Sequence, residues 1–258
     1  MLLPNPWDVG SARLLASLGF DALATTSSGF AATLGRLDGS VSRDEALAHA
    51  RAIVDATDLP VSADLENGFA DDPTAVAETV RFAVACGLAG CSIEDSTGRP
   101  DAPIYDMALA LERVAAAAEA AHDGQARLVL TARSENHLYG RDDLDDTIAR
   151  LRGYQEAGAD VLFAPGLVRL EDIGRLVGAV DRPVNVLAVA GAPTVAELAS
   201  VGVARVSVGG AFAFAALGSL VTAAHEFRDN GTYGFREQAG PGAAAARAAF
   251  RPDGDRGP

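Results

Sequence analysis

The sequence predicts a single (β/α)8 barrel of the TIM type, and three observations carry this expectation. The length of 258 residues suits one barrel domain. Short β-prone runs alternate with helix-length amphipathic segments along the chain. A phrase of helix, glycine and strand recurs in SLGFDALATT (17–26), ACGLAGCSIED (85–95), EAGADVLFAPG (156–166) and SVGVARVSVGG (200–210). Eight parallel βα units close naturally into a barrel, whose inward layers are normally filled by small and branched residues. An open, doubly wound sheet is the structural alternative, and eight units of this spacing favour closure.

In chain order the candidate strands are Leu2–Pro4, Ala22–Thr25, Pro60–Asp64, Gly90–Glu94, Leu128–Ala132, Val161–Ala164, Val184–Leu187 and Arg205–Val208. Helical patterns between them include Arg43–Ala56, Thr74–Ala85, Leu144–Ala157 and Val195–Val201, with apolar residues every three or four positions. Asp72 reads as an N-cap before Pro73, and Gly87 and Gly158 stand where helices stop. Gly210–Phe227 is a long Ala/Phe/Leu-rich helix, apolar around most of its girth, and such a helix needs burial nearly all round. The barrel is expected to span residues 1–239. The tail 240–258, GPGAAAARAAFRPDGDRGP, offers little to bury and is expected to be a marginal helix followed by disorder.

Composition narrows the function. The net charge of −14 argues against nucleic acid and anionic membrane surfaces, which would repel the chain. All 21 basic residues are Arg, so lysine Schiff-base and pyridoxal-phosphate chemistry are excluded. Cys86 and Cys91 are too few for a disulfide scaffold or a thiolate metal site, and Cys91 reads as core. The N-terminus MLLPNPWDVG lacks the features of a signal peptide, and no apolar run is long enough to span a membrane, so a cytoplasmic protein is expected.

Polar residues at the C-terminal ends of barrel strands point into the mouth. That rule selects Asp64 and Glu66 after strand three, Glu94 and Asp95 after strand four, and Arg133 after strand five, with Asn185 on strand seven. Acids so gathered repel one another unless a cation neutralises them, and all-oxygen ligands suit Mg2+ or Mn2+. Any one of these acids could instead cap the following helix. His137 can reach the mouth as acid or base, or serve as a cap. His49, His122 and His225 fall on helical stretches, and Trp7 reads as packing.

The ordered set NPWD (5–8), GFDALATTSSGFA (19–31), LGRLDG (34–39), ADLENGF (63–69), SIED (92–95), TARSENH (131–137), and NV (185–186) followed by RVSVGG (205–210) resembles the isocitrate lyase/phosphoenolpyruvate mutase superfamily. ADLENGF is similar to its D-x-D/E-x-G-[YF] segment and SIED to its strand-four I-E-D. The resemblance runs from Pro4 to about Phe235. It implies Mg2+ held directly by Asp64, with Glu66, Glu94 and Asp38 acting mostly through water. It implies a substrate carboxylate held by the backbone N–H groups of Ser28, Gly29 and Phe30, with Arg133 on its carboxylate or oxyanion side. A 2-oxo or phosphono acid is the implied substrate, and cleavage of the neighbouring bond leaves a metal-stabilised enolate. The resemblance also implies a last helix exchanged between subunits, giving a homodimer or homotetramer.

The chain departs from the family after SIED. The lyases carry a K-x-C-G-H-type loop there and the mutases a Lys and an Asn, whereas this chain reads SIEDSTGRPDAPIYD (92–106). Arg99 is the one cation of that loop able to cover a leaving carboxylate or phosphonate. Two other readings are carried forward. Ala190–Gly191 and Gly209–Gly210 resemble the backbone cradle of barrels that bind phosphorylated substrates, and a homologue that only binds an oxo acid would keep the same acids.

Overall fold

Strand alternation decides what this barrel buries. The computed structural model describes residues 1–123 and 126–251. Its strands are β1 (Leu2–Leu3), β2 (Leu23–Ala24), β3 (Val61–Asp64), β4 (Gly90–Glu94), β5 (Val129–Arg133), β6 (Val161–Phe163), β7 (Val184–Leu187) and β8 (Arg205–Ser207). They pair in parallel in the order β1-β8-β7-β6-β5-β4-β3-β2. Between β1 and β2 the Ala24 N–H donates to the Pro4 carbonyl at 3.0 Å. Asn5 secures this seam: its Nδ2 donates to the Thr25 carbonyl, and its Oδ1 accepts from the Val208 and Gly209 N–H groups, each at 2.9 Å. The result is a (β/α)8 barrel, as the βα rhythm predicts.

The helices are α1 (Val9–Ser17), α2 (Ser27–Thr33), α3 (Arg43–Val54), α4 (Pro73–Ala85), α5 (Met107–His122), α6 (Leu144–Glu156), α7 (Leu170–Ala179), α8 (Val195–Ser200), α9 (Ala211–His225) and α10 (Arg236–Ala249). Asp72 caps α4, accepting from the Thr74 and Ala75 N–H groups at 2.9 and 3.1 Å. Gly87 and Gly158 leave α4 and α6 with φ of +78° and +108°, values that L side chains resist.

Val61, Ala63, Cys91, Ile93, Leu130 and Ala132 turn outward and pack under the helices in one apolar core. Burial pushes the Cys91 thiol up to about 12, so it stays protonated and packs as a small apolar residue. The lumen keeps small and branched fillers, but they are largely polar, and an arginine joins them. Ser62, Ser92, Thr131, Asn185, Arg205 and Ser207 face it. These positions are two residues apart on each strand from the next inward residue, so the apolar side chains face the helices and the polar ones meet inside.

Two helices stand apart from this core. On α9 only Ala213 is buried, while Phe214, Leu217, Leu220 and Val221 are exposed. Along α10, which contains Pro241, no residue is buried. Disorder was expected at the end of the tail, and residues 252–258 lie outside the described residues. Among the described residues no helix is long and apolar enough to cross a membrane.

Candidate active site

The ends of β3, β4 and β5 lie side by side, with Asp64 paired to Ser92, and Glu94 to Arg133, in the strand register. Alternation points Asp64, Glu94 and Arg133 to the same side. Arg133 gathers the neighbouring acids: Nη1 donates to Asp64 Oδ1 at 3.0 Å, Nε to Glu135 Oε1 at 2.9 Å, and Nη2 lies 3.2 Å from Glu94 Oε2. Its guanidinium also stands over the Phe163 ring at 5.3 Å. Burial works against the Arg133 charge, yet Glu135, Glu94 and Asp64 outweigh it and hold the group firmly protonated.

The acids around it carry more charge than one arginine cancels. Burial pushes Glu66 up to about 7, assisted by the charges of Asp64 and Asp38. Burial likewise raises Glu94, with Arg133 opposing and Glu135, Asp64 and Glu66 reinforcing. Asp64 is oriented from several sides. Its Oδ2 accepts the Ser27 N–H at 3.2 Å, its Oδ1 the Glu66 N–H at 3.3 Å, and its own N–H donates to Thr25 Oγ1 at 2.9 Å. The following turn is strained, with Glu66 and Phe69 at φ of +48° and +61°. Such backbone persists only where surrounding contacts over-determine it, commonly beside functional groups.

Of these residues Asp64 and Arg133 border a cavity of about 200 Å³, together with Ser27, Ser28, Asp38 and Leu138 near its mouth and the polar lumen below, while Glu66, Glu94 and Glu135 stand behind them. Asp38 reaches it from the exposed segment after α2. Ser28 lines it, with Oγ 3.2 Å from Thr26 Oγ1. The N–H groups of Gly29 and Phe30 are taken up within the turn, by Thr26 Oγ1 and the Thr26 carbonyl. Phe30 stacks on His49 with ring centroids 3.9 Å apart. A side chain at Gly29 would meet Thr26, Trp7 and Ala213.

Other expected residues lie elsewhere. Asp95, adjacent to Glu94, faces the opposite side and is locked by Tyr154 Oη at 2.6 Å, the Glu135 N–H at 2.8 Å and Arg150 at 3.2 Å. His137 is buried behind the mouth, 3.2 Å from Thr147 Oγ1, while its neighbour Leu138 lines the cavity. Arg99 pairs with exposed Asp71 at 2.8 Å. Its loop is drawn together by a bridge between Ser96 and Ile104 and by Thr97 Oγ1 donating to the Ala102 carbonyl at 2.5 Å.

Sequence reasoning missed Glu135, Asn5 and Arg205. Arg205, on the first residue of β8, donates from Nε to Asn185 Oδ1 and from Nη2 to Thr131 Oγ1, both at 2.9 Å. Asn185 in turn donates to Ser207 Oγ at 2.9 Å. The signal was there in the alternation of Arg205 and Ser207 about Val206, which mirrors Ser62 and Asp64 about Ala63.

Fold and mouth together define a (β/α)8-barrel enzyme with its charged groups at the C-terminal strand ends. The model of the phosphoenolpyruvate phosphomutase family matches residues 1–228, and the chain belongs to that family within the PEP mutase/isocitrate lyase superfamily. Relatives include methylisocitrate lyases and an oxaloacetate decarboxylase, and the matching model is that of a phosphomutase, so this is an enzyme superfamily of lyases and mutases. A crystal structure of a protein from Burkholderia cenocepacia J2315, described as of the lyase/mutase type, superposes with a TM-score of 0.95 at 52% identity, covering 98% of this chain and 92% of that one. An uncharacterised protein of Mycobacterium tuberculosis H37Rv is 35% identical over 210 residues, 81% of this chain and 77% of its own. The 2-methylisocitrate lyase of Escherichia coli K12 is 32% identical over 181 residues, 67% of this chain and 60% of its own length.

Proposed function

We propose that the protein is a divalent-cation-dependent lyase or mutase that breaks a C–C or P–C bond next to a 2-oxo acid. The observation that carries this reading is the convergence of Asp64, Glu94 and Arg133 at the strand ends above the cavity. The donor chemistry fits a hard cation, because Asp38, Asp64, Glu66, Glu94 and Glu135 face one guanidinium, and burial has already driven Glu66 to about 7. Among the described residues no three potential ligands converge tightly enough for direct ligation. In keeping with the family resemblance, Mg2+ or Mn2+ would rest on Asp64, with Glu66, Glu94 and Asp38 reaching it through water. When bound, the cation supplies Lewis-acid polarisation of the 2-oxo group.

The chain's own groups do the rest. Ser28 lies where a substrate carboxylate can be received, with Gly29 and Phe30 shaping the turn behind it. Arg133 donates hydrogen bonds to Asp64 and Glu135 and pairs with Glu94, and its remaining N–H donors can serve the oxyanion that develops as the bond breaks. Because the loop after β4 offers no Lys or Cys, chemistry without a thiol acid fits best. In decarboxylation of an oxaloacetate-like acid, the bond to the departing carboxylate breaks, carbon dioxide leaves, and its electron pair forms an enolate that solvent protonates. The exposed apolar α9 is the element we assign to subunit exchange, giving a dimer or tetramer.

The phosphorylated-substrate reading fits less well. The Gly209 N–H is already taken by Asn5, and Ala190 and Gly191 do not line the cavity. A protein that only binds oxo acids is separated from an enzyme by turnover. Oxaloacetate, phosphonopyruvate and a panel of 2-oxo and 2-hydroxy acids should be assayed with Mg2+, with Asp64→Ala as control. Metal-dependent turnover lost in Asp64→Ala supports the reading, and the absence of both turnover and binding across the whole panel overturns it.

A further inference from the structure

Arg205 is a half-buried cation with nothing of opposite charge beside it. Its two hydrogen bonds go to the neutral oxygens of Asn185 and Thr131, and among the described residues no carboxylate lies within ion-pair distance. Arg133, by contrast, touches three acids. Arg113 also lacks an acid, but the Asn67, Ala70 and Asp71 carbonyls take up its guanidinium, whereas Arg205 borders a cavity with donors to spare. Burial alone pulls Arg205 down to about 10, which still leaves it charged at neutral pH. Taking such a charge out of most of its water is costly unless an anion or enough hydrogen-bond acceptors meet it.

Position says which anion. Arg205 reaches Thr131, which stands two residues before Arg133 on β5. The two guanidinium sites are thus separated by one inward layer of the barrel, about 7 Å along the strand. Nη1 of Arg205 makes no hydrogen bond among the described residues, and Nη2 keeps a second N–H, so three donors on one planar group are open. That is the geometry that receives a carboxylate edge-on. The hydroxyls of Ser62, Ser92 and Ser207 line the space around it.

We propose that Arg205, held by Asn185 and Thr131, is a second anion subsite that binds the far carboxylate of a short dicarboxylic substrate. This rests on the reading of the mouth as a 2-oxo acid site. Arg205 then sets specificity for a four- or five-carbon diacid over a monoacid, while the mouth groups engage the reacting end.

The test uses two 2-hydroxy acids, malate and 2-hydroxybutyrate, which differ by a terminal carboxylate in place of a methyl group. Calorimetric titration is run with Mg2+ on the wild-type protein, Arg205→Met and Arg205→Lys. Malate should bind at least about tenfold tighter to the wild type, the worth of one charge-assisted hydrogen bond in a buried site. Arg205→Met should lose that preference with 2-hydroxybutyrate affinity unchanged, and Arg205→Lys should keep part of it. Equal wild-type affinities overturn the subsite, and so does a preference that survives in Arg205→Met. Equal loss of both ligands in a folded Arg205→Met assigns the residue to structure alone and also overturns it. Should Arg205→Met fail to fold, the wild-type preference and Arg205→Lys decide: a preference undiminished in Arg205→Lys overturns the subsite. If neither acid binds the wild type, the reading of the mouth fails, and the subsite with it.

Discussion

The Arg133 guanidinium donates to the Asp64 carboxylate across 3.0 Å, tying the end of β5 to the end of β3 over the cavity. Both side chains are more than four-fifths buried, so the contact is scarcely screened by solvent. Removing Arg133 would leave Asp64, Glu94 and Glu135 facing one another unpaired. Arg133→Met should therefore lose about 3–5 kcal/mol of stability, the usual cost of breaking a buried pair from one side. Denaturant unfolding measures this, and a loss below about 1 kcal/mol would show that the acids neutralise by protonation instead.

Asp64→Ala should abolish cation binding and turnover together while leaving the barrel folded. Titration with Mg2+, with and without oxalate as a mimic of the enolate, reads the first, and circular dichroism reads the last. Wild-type protein that binds no Mg2+ under either condition contradicts the proposed cation site.

Arg99 is paired with Asp71, and both side chains are about half exposed. An exposed pair contributes about 0–1 kcal/mol, so Arg99→Ala should leave stability nearly unchanged and its loop free to move. The informative readout is turnover at saturating substrate. A drop of about a hundredfold with intact cation affinity makes Arg99 a charge brought over the substrate. Full activity confines it to its contact with Asp71.

Asp160 accepts from the Leu130 N–H at 2.9 Å, from His122 at 2.8 Å and from Arg127 at 2.7 Å. Burial opposes its charge, but these donors prevail and hold it below the ordinary 3.8. A depressed carboxylate contributes stability above its unfolded pKa and loses it as pH falls through the folded one. Asp160→Asn should thus cost about 1–3 kcal/mol at neutral pH. The gap to wild type should close as pH falls below 3.8, which melts at pH 7 and pH 3 compare.

The apolar face of α9 leaves Leu220 63% and Val221 55% exposed in the single chain. Light scattering should give a dimer or tetramer mass, and Leu220→Glu should shift it toward the monomer. A stable wild-type monomer at micromolar concentration contradicts the proposed exchange.

The sequence by itself determined the strand plan and the ends of the strands that carry charge. Eight β-prone runs fell on the eight observed strands, and Asp64, Glu94 and Arg133 were legible because a strand's last inward residue borders the mouth. Alternation and helix stops are local properties, written within ten residues of where they act. Tertiary structure alone decided what stands opposite what. It turned Asp95 away toward Arg150 and Tyr154, put Leu138 at the cavity and His137 behind it, and parked Arg99 on Asp71. It also brought Arg205 from the start of β8 to Thr131 on β5, 74 residues away in the chain. Such pairings depend on barrel closure and on how each loop leaves its strand, and neither is encoded in the period of any one segment.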